Sequence, residues 1–162
     1  MLLSVIIPAY NEEKTIARIA DLARRVSVSK EIIIVDDGSS DGTAAILESL
    51  KAKECTDEIF AGFTVIRQKN SGKGSAIRAG IAAAQGDIIL FQDADLEYDP
   101  EDYPLLIGPI REDRADAVMG SRILGKKNDF WVGGRPSFRY LRNHLGIHFV
   151  KNILGDKITG DK

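Results

Sequence analysis

The sequence predicts an α/β fold, a mostly parallel sheet with helices on both faces, from three observations. Short apolar runs recur as strands buried on both sides would, and segments with helical spacing separate them. The unusual polar residues gather just after the apolar runs. The implied order is β-α-β-α-β-α-β.

Leu2–Ile7 is the first run, and Pro8 closes it. It lacks a basic leader, and Pro8, Asn11 and Glu12 end it too early for a secretory signal, so it reads as a core strand. Ile16, Ile19, Ala20, Ala23 and Val26 then fall three or four apart, the mark of one buried helix face. Glu31–Val35, with consecutive Ile32, Ile33 and Ile34, is the second strand, closed by Asp36–Gly42. Thr43–Lys53 carries Ala44, Ile46, Leu47 and Leu50 at helical spacing. Phe63–Ile66 is the third strand, ending in Lys69–Gly74, and Ala76–Ala84 is the third helix. Asp87–Phe91 is the fourth strand, closed by Asp93–Pro100. Pro100 suits the first turn of a helix over Glu101–Arg111. Asp116–Gly120 is expected as a fifth strand, leading into Ser121-Arg122. Leu124–Ser137, Gly-rich and basic, reads as a mobile loop, and Phe138–Leu154 as a helix.

Composition excludes several function classes. With 162 residues, 44% of them hydrophobic, the chain can bury the core of one domain without staples. The single cysteine, Cys55, rules out an intramolecular disulfide and cysteine-rich zinc or iron–sulfur sites, and predicts a cytoplasmic setting. Lys and Arg total 22 against 24 Asp and Glu, so no basic excess offers a nucleic acid polymer a footprint. No stretch approaches the roughly 18 apolar residues that span a bilayer.

Parallel sheets bind ligands at the carboxyl ends of their strands, where this chain's acids fall. Asp93, Asp95 and Glu97 alternate just after the fourth strand, so their oxygens can face one another. A divalent cation, Mg²⁺ or Mn²⁺ holding a diphosphate, would relieve their repulsion. The competing reading is a solvated turn in which Asp99-Pro100 caps the next helix. Asp36 and Asp37 end the second strand; one could meet a base or ribose while its neighbour faces the framework, and Ser40 or Asp41 can cap the next helix. After the first strand, Tyr10 could stack on a base while Asn11 and Glu12 bond a sugar or ring edge; equally, Asn11 could cap the first helix. Gly72-Lys73-Gly74-Ser75 resembles a phosphate loop without Walker A spacing, and ordinary capping competes with an anion site there. Arg122, Arg135, Arg139 and Arg142 supply guanidinium groups suited to phosphate. His144 and His148 lack an HExxH pattern and read as packing residues.

The order and spacing of Val5–Glu12, Val35–Thr43, Asn70–Gly80, Gly86–Pro104 and Ala117–Arg122 resemble the family 2 glycosyltransferases. Within them the chain is most similar to the dolichyl-phosphate mannosyltransferase and polyprenyl-phosphate glycosyltransferase branch. The resemblance implies the GT-A nucleotide-sugar-binding fold, with a Rossmann-like, mostly parallel sheet. It implies that Pro8, Tyr10, Glu12, Val35 and Asp37 contact the nucleotide, and that Asp93 and Asp95 form the DxD-like metal element beside Ala94. Glu97 would be a further metal ligand, and Arg122 would face donor or acceptor phosphate, with Arg135 or Arg139 as a second contact. The catalytic assignments are Asp95 and Arg122.

The implied reaction is inverting, metal-dependent hexosyl transfer from GDP-mannose or UDP-glucose to a polyprenyl or dolichyl phosphate. The alternatives are a family 2 transferase acting on a glycan or other hydroxyl, or a catalytically silent nucleotide-sugar-binding domain. The expected organisation is a nucleotide-sugar-binding core over 1–124 and an incomplete acceptor-side segment over 125–162. Ile158–Lys162 carries an imperfect trace of the family's continuation. Peripheral membrane association and a homodimer, covering apolar surface that absent terminal helices would leave open, are further expectations.

Overall fold

The computed structural model describes residues 1–52 and 59–120, together with the backbone of 131–132, 135–136 and 149–151. The chain runs β1 (Leu3–Ala9), α1 (Ile16–Arg25), β2 (Lys30–Asp36), α2 (Thr43–Lys51), β3 (Phe60–Arg67), α3 (Lys73–Ala83), β4 (Ile88–Phe91). A 3-10 turn (Pro100–Asp102) then leads into α4 (Tyr103–Arg111), and β5 (Trp131–Val132), β6 (Arg135–Pro136) and β7 (Phe149–Lys151) follow. The main sheet has the order β3-β2-β1-β4-β7. The β1–β2, β2–β3 and β1–β4 pairs are parallel, and β7 joins β4 antiparallel.

The apolar runs behave as double-sided strands must. Val5, Ile7, Ile32, Ile34 and Leu90 pack in one cluster with Ile16, Ile19, Ala23 and Leu47 of the helices. Ile6, Ile33, Val35 and Ile89 turn to the other face and pack with Ala76 of α3. Period-two alternation thus feeds two cores from the same strands. Each fully buried aliphatic side chain contributes roughly 1.5–3 kcal/mol. On the second face α3 lies very close to the sheet, because a Cβ on Gly80 would stand 2.4 Å from Ile6 Cγ2.

Two charged residues are built into the base of the sheet. Glu31 Oε1 accepts from Ser4 Oγ at 2.6 Å and from the backbone N–H of Gln85 at 2.6 Å, tying β1 and β2 to the approach to β4. Lys30, fully buried, donates through Nζ to the carbonyls of Val26 and Val28 at 2.6 and 3.2 Å. Its charge sits where α1 ends, at the negative end of the helix dipole.

Three sequence expectations are corrected. Asp116–Gly120 is no strand: only Met119 makes an isolated bridge, and most of the segment is exposed. The place beside β4 goes instead to β7, because an open strand edge needs a partner for its N–H and C=O groups. Phe149–Lys151 therefore leaves the helix expected over Phe138–Leu154; residues 137–148 lie outside the described residues. Within the expected loop Leu124–Ser137, β5 pairs antiparallel with β6, and Gly133-Gly134 between them is a hairpin signal.

Candidate active site

The sheet order places the site. Connections from β1 run outward to β2 on one side, while β4 lies on the other, so a crevice opens beyond the carboxyl ends of β1 and β4. A cavity of about 420 Å³ occupies it. Pro8, Ala9, Tyr10 and Glu12 line it from the end of β1, Asp37 from the end of β2, and Asp93, Ala94 and Asp95 from the end of β4. Asn70, Gly72, Lys73 and Ala76 complete the wall from the start of α3 and the loop before it.

The post-strand loops hold one another. Asn11, in the left-handed region at φ 57°, accepts from the Ser40 N–H through Oδ1 at 2.8 Å, and its own N–H donates to Ser39 Oγ. Asn11 thus ties two loops together and makes no side-chain cap on α1, whose N-cap is Thr15. Glu12 donates its N–H to Thr43 Oγ1 at 2.8 Å, while its Oε2 accepts from Thr15 Oγ1 at 2.5 Å. The N-cap of α2 is Gly42 rather than Ser40 or Asp41, and Asp41, one residue earlier, accepts the Thr43 N–H at 3.0 Å. Gly38, at φ 75°, lets the β2 loop pass close to Asn70.

The adjacent acids Asp36 and Asp37 divide their roles. Asp36, wholly buried, accepts from the Ser39 N–H and from Arg67 Nε at 2.9 and 3.1 Å, so it is the framework residue. Asp37 borders the cavity, but its carboxylate is also anchored. It accepts from Gln68 Nε2 at 2.6 Å and from the N–H groups of Ser71 and Gly72 at 3.0 and 2.8 Å. Burial is the largest influence and pushes its carboxyl up, but the three donors together outweigh it and hold it below its ordinary value.

The acidic turn after β4 is equally fixed. Gln92, fully buried, donates through Nε2 to the carbonyls of Asp93 and Tyr98 and accepts through Oε1 from the Tyr103 hydroxyl at 2.9 Å. Burial, with the nearby charge of Asp99, pushes the Tyr103 phenol far up, so it stays a donor. Leu96 lies at φ 63°, an uncommon conformation for a branched apolar residue. Asp95 Oδ1 accepts the Glu97 N–H at 3.1 Å, and Asp99 accepts the Glu101 N–H as the expected cap. Lys73 Nζ meets Asp93 Oδ1 at 2.6 Å.

Of the residues the sequence nominated, Pro8, Tyr10, Glu12, Asp37, Asp93, Ala94 and Asp95 meet around this one cavity. Val35 is buried in the core facing α3 and does not line it. Glu97 is exposed and outside the lining. Among the described residues no three His, Cys, Asp or Glu side chains gather into a metal-holding cluster. The donor set nevertheless fits a hard cation. Asp93 and Asp95 are oxygen donors beside a cavity, and Mg²⁺ or Mn²⁺ in phosphate sites typically uses one or two carboxylates plus ligand phosphates. Arg122, Arg139, Arg142, Cys55, His144 and His148 lie outside the described residues, and Arg135 is described only as backbone in β6. Lys73 was legible only as part of a helix start, and Asn70 only as a turn residue, since neither loop spacing nor charge shows what a side chain faces.

Comparison with known proteins is consistent with this geometry. The model of "Glycosyl transferase family 2" matches residues 4–160. An undecaprenyl-phosphate 4-deoxy-4-formamido-L-arabinose transferase of Proteus mirabilis (strain HI4320) is 37% identical over 132 residues, 79% of this chain and 38% of that protein. The structure of S. aureus TarS 1-349 in complex with UDP aligns with a TM-score of 0.58 and 30% identity, over 72% of this chain and 34% of that one. Glucosyl-3-phosphoglycerate synthase from Mycobacterium tuberculosis, in complex with Mn²⁺, UDP-glucose and phosphoglyceric acid, aligns with a TM-score of 0.52 and 30% identity. That alignment covers 67% of this chain and 39% of the synthase. The chain spans less than half the length of the curated relatives it matches.

Proposed function

The chain belongs to glycosyl transferase family 2, and from that premise we propose that it transfers a sugar from a nucleotide diphosphate to a polyprenyl phosphate. The observation that carries this reading is the cavity at the β1/β4 crevice, where Asp37 from the end of β2 meets Asp93 and Asp95 from the end of β4. The relatives named as undecaprenyl-phosphate transferases supply the acceptor class. They carry 4-deoxy-4-formamido-L-arabinose, so the sugar is left open rather than fixed as mannose or glucose.

In this reading Tyr10, half exposed at the mouth, lies against the base, and Glu12 and Asp37 face the nucleoside. Asp37 already accepts from three loop donors, two on Oδ1 and one on Oδ2, so its carboxylate is held in place before the nucleoside arrives and Oδ2 keeps capacity for a further donor. Asp93 and Asp95 would hold Mg²⁺ or Mn²⁺, which supplies charge neutralisation to the departing diphosphate. Gln92 and Tyr103 keep the acidic turn in place from below. An oxygen of the acceptor phosphate forms a bond to the anomeric carbon as the bond from that carbon to the diphosphate oxygen breaks, with inversion. The attacking oxygen is already anionic, so the step needs alignment more than a general base. Arg122 is assigned to a phosphate of donor or acceptor.

The alternative is a hydroxyl acceptor, favoured by the likeness to a synthase structure that holds phosphoglyceric acid. Radiolabelled nucleotide sugars offered with Mn²⁺ and either undecaprenyl phosphate in detergent or hydroxyl acceptors distinguish the two. The proposal expects label in the lipid phosphate product; label only in a hydroxyl product overturns it.

A further inference from the structure

We propose that Lys73 is an internal counter-cation of the donor site, competing with the divalent cation for Asp93 and passing to the nucleotide's diphosphate once that cation binds. The inference rests on the reading above, in which Asp93 and Asp95 hold the cation.

The cavity is lined by four carboxylates, Glu12, Asp37, Asp93 and Asp95, and among its described lining residues Lys73 is the only cation. An anionic diphosphate enters such a space only with positive charge to accompany it. Lys73 Nζ stands 2.6 Å from Asp93 Oδ1, on the acid assigned to the metal. Its backbone is fixed at the first position of α3, where the preceding Gly72 N–H is held by Asp37. Its side chain is 56% exposed and Asp93 is 28% exposed, so the ammonium swings on a flexible stem with little to desolvate.

A divalent cation and an ammonium repel each other and want the same carboxylate oxygen. Cation binding therefore costs the Lys73–Asp93 pair, and the released ammonium meets the incoming diphosphate in the same cavity. The two partners of Lys73 give opposite signs. It opposes free metal and favours metal with diphosphate, so metal and donor are coupled through it, reciprocally.

The test is Mn²⁺ binding to the intact chain by electron paramagnetic resonance without nucleotide, then calorimetry with GDP and UDP at saturating Mn²⁺. Lys73→Met should bind free Mn²⁺ about threefold to fivefold tighter than wild type, the range of a partly exposed ion pair. It should bind the nucleotide diphosphate about tenfold more weakly, the loss of one charge-assisted hydrogen bond. Lys73→Arg should restore the free-Mn²⁺ affinity toward wild type, and Asp93→Asn should weaken it. If Asp93→Asn weakens Mn²⁺ but Lys73→Met leaves it unchanged or weaker, the competition is overturned while the metal assignment stands. If Asp93→Asn binds Mn²⁺ as wild type does, the metal assignment itself falls. Tighter Mn²⁺ with unchanged nucleotide binding overturns the transfer to diphosphate.

Discussion

The Tyr103 hydroxyl donates to Gln92 Oε1 at 2.9 Å, joining the first residue of α4 to the last buried residue before the acidic turn. Both side chains are fully buried, and the other end of the Gln92 amide holds the Asp93 and Tyr98 carbonyls. The acidic turn proposed to hold the metal is thus braced from a helix on the first core, not from the cavity. Tyr103→Phe strands the Gln92 acceptor and should cost about 1–3 kcal/mol. Urea unfolding measures that loss. Nucleotide binding by the folded variant should fall as well, because the turn loses its brace.

Gly80→Ala should destabilise the chain even though alanine is the better helix former. The propensity gain is at most about 1 kcal/mol, whereas forcing a methyl into a packed core costs about 1–3 kcal/mol. The neighbour is Ile6 Cγ2, and Ile6 is itself fully buried in the core against α3. In an Ile6→Ala background, which lacks the Cγ2 and Cγ1 atoms the new methyl would meet, Gly80→Ala should cost less than it does in wild type. A double-mutant cycle in denaturant reads this coupling directly.

Asp37 predicts the acid limb of stability. Its folded carboxyl titrates below the ordinary value of 3.8, since the Gln68, Ser71 and Gly72 donors outweigh burial. A depressed folded value means the stabilisation is complete above the unfolded value and is lost as pH falls through the folded one. Asp37→Asn should therefore be less stable than wild type at neutral pH, and the gap should close as the buffer is taken below about pH 4. Thermal unfolding across that range checks it. A gap that widens on acidification would reverse the assigned sign.

Asp95→Ala should leave the fold intact, because the side chain is exposed and its described hydrogen bond is to the Glu97 N–H. Changes to groups that merely support metal ligands cost about 10–100-fold in affinity, so loss of a ligand should weaken Mn²⁺-dependent nucleotide diphosphate binding at least tenfold. Calorimetry with and without Mn²⁺ measures it. Equal affinity in both proteins under both conditions would remove Asp95 from the site.

What was legible beforehand follows from which physical signal each element carries. β1, β2 and β4 announce themselves because burial on both faces leaves runs such as Ile32–Ile34 with no polar interruption, whereas β3, at the sheet edge and mostly half-exposed or exposed, shows only as the short run Phe63–Ile66. The α1 face shows in the spacing of Ile16, Ile19, Ala20 and Ala23, all of which are buried. Tyr10, Glu12, Asp37, Asp93 and Asp95 could be nominated because strand ends, not side-chain contacts, define the crevice, whereas Pro8 and Ala94 were reached through the family resemblance. What spacing cannot show is the partner of a polar atom. Nothing local distinguishes Asp36, turned to Arg67 and Ser39, from Asp37, turned to the α3 loop. The antiparallel β7 escaped for a related reason, since three residues carry too little periodicity to compete with a helical pattern around them.

The four loops above the sheet are buckled to one another in sequence: Asn11 to Ser40, Asp37 to Ser71 and Gly72, Lys73 to Asp93. The Asn11 and Asp37 links of this belt run from a side chain to the backbone of the neighbouring loop, so each depends on the shape of the loop it grips. Grafting a single loop from a relative would import half of a clasp, so any exchange of donor preference by transplantation has to carry neighbouring loops together. The Tyr10 ring stands half exposed at the open edge of the belt, so on the proposed reading a substitution there should change which base is accepted without unfastening the rest.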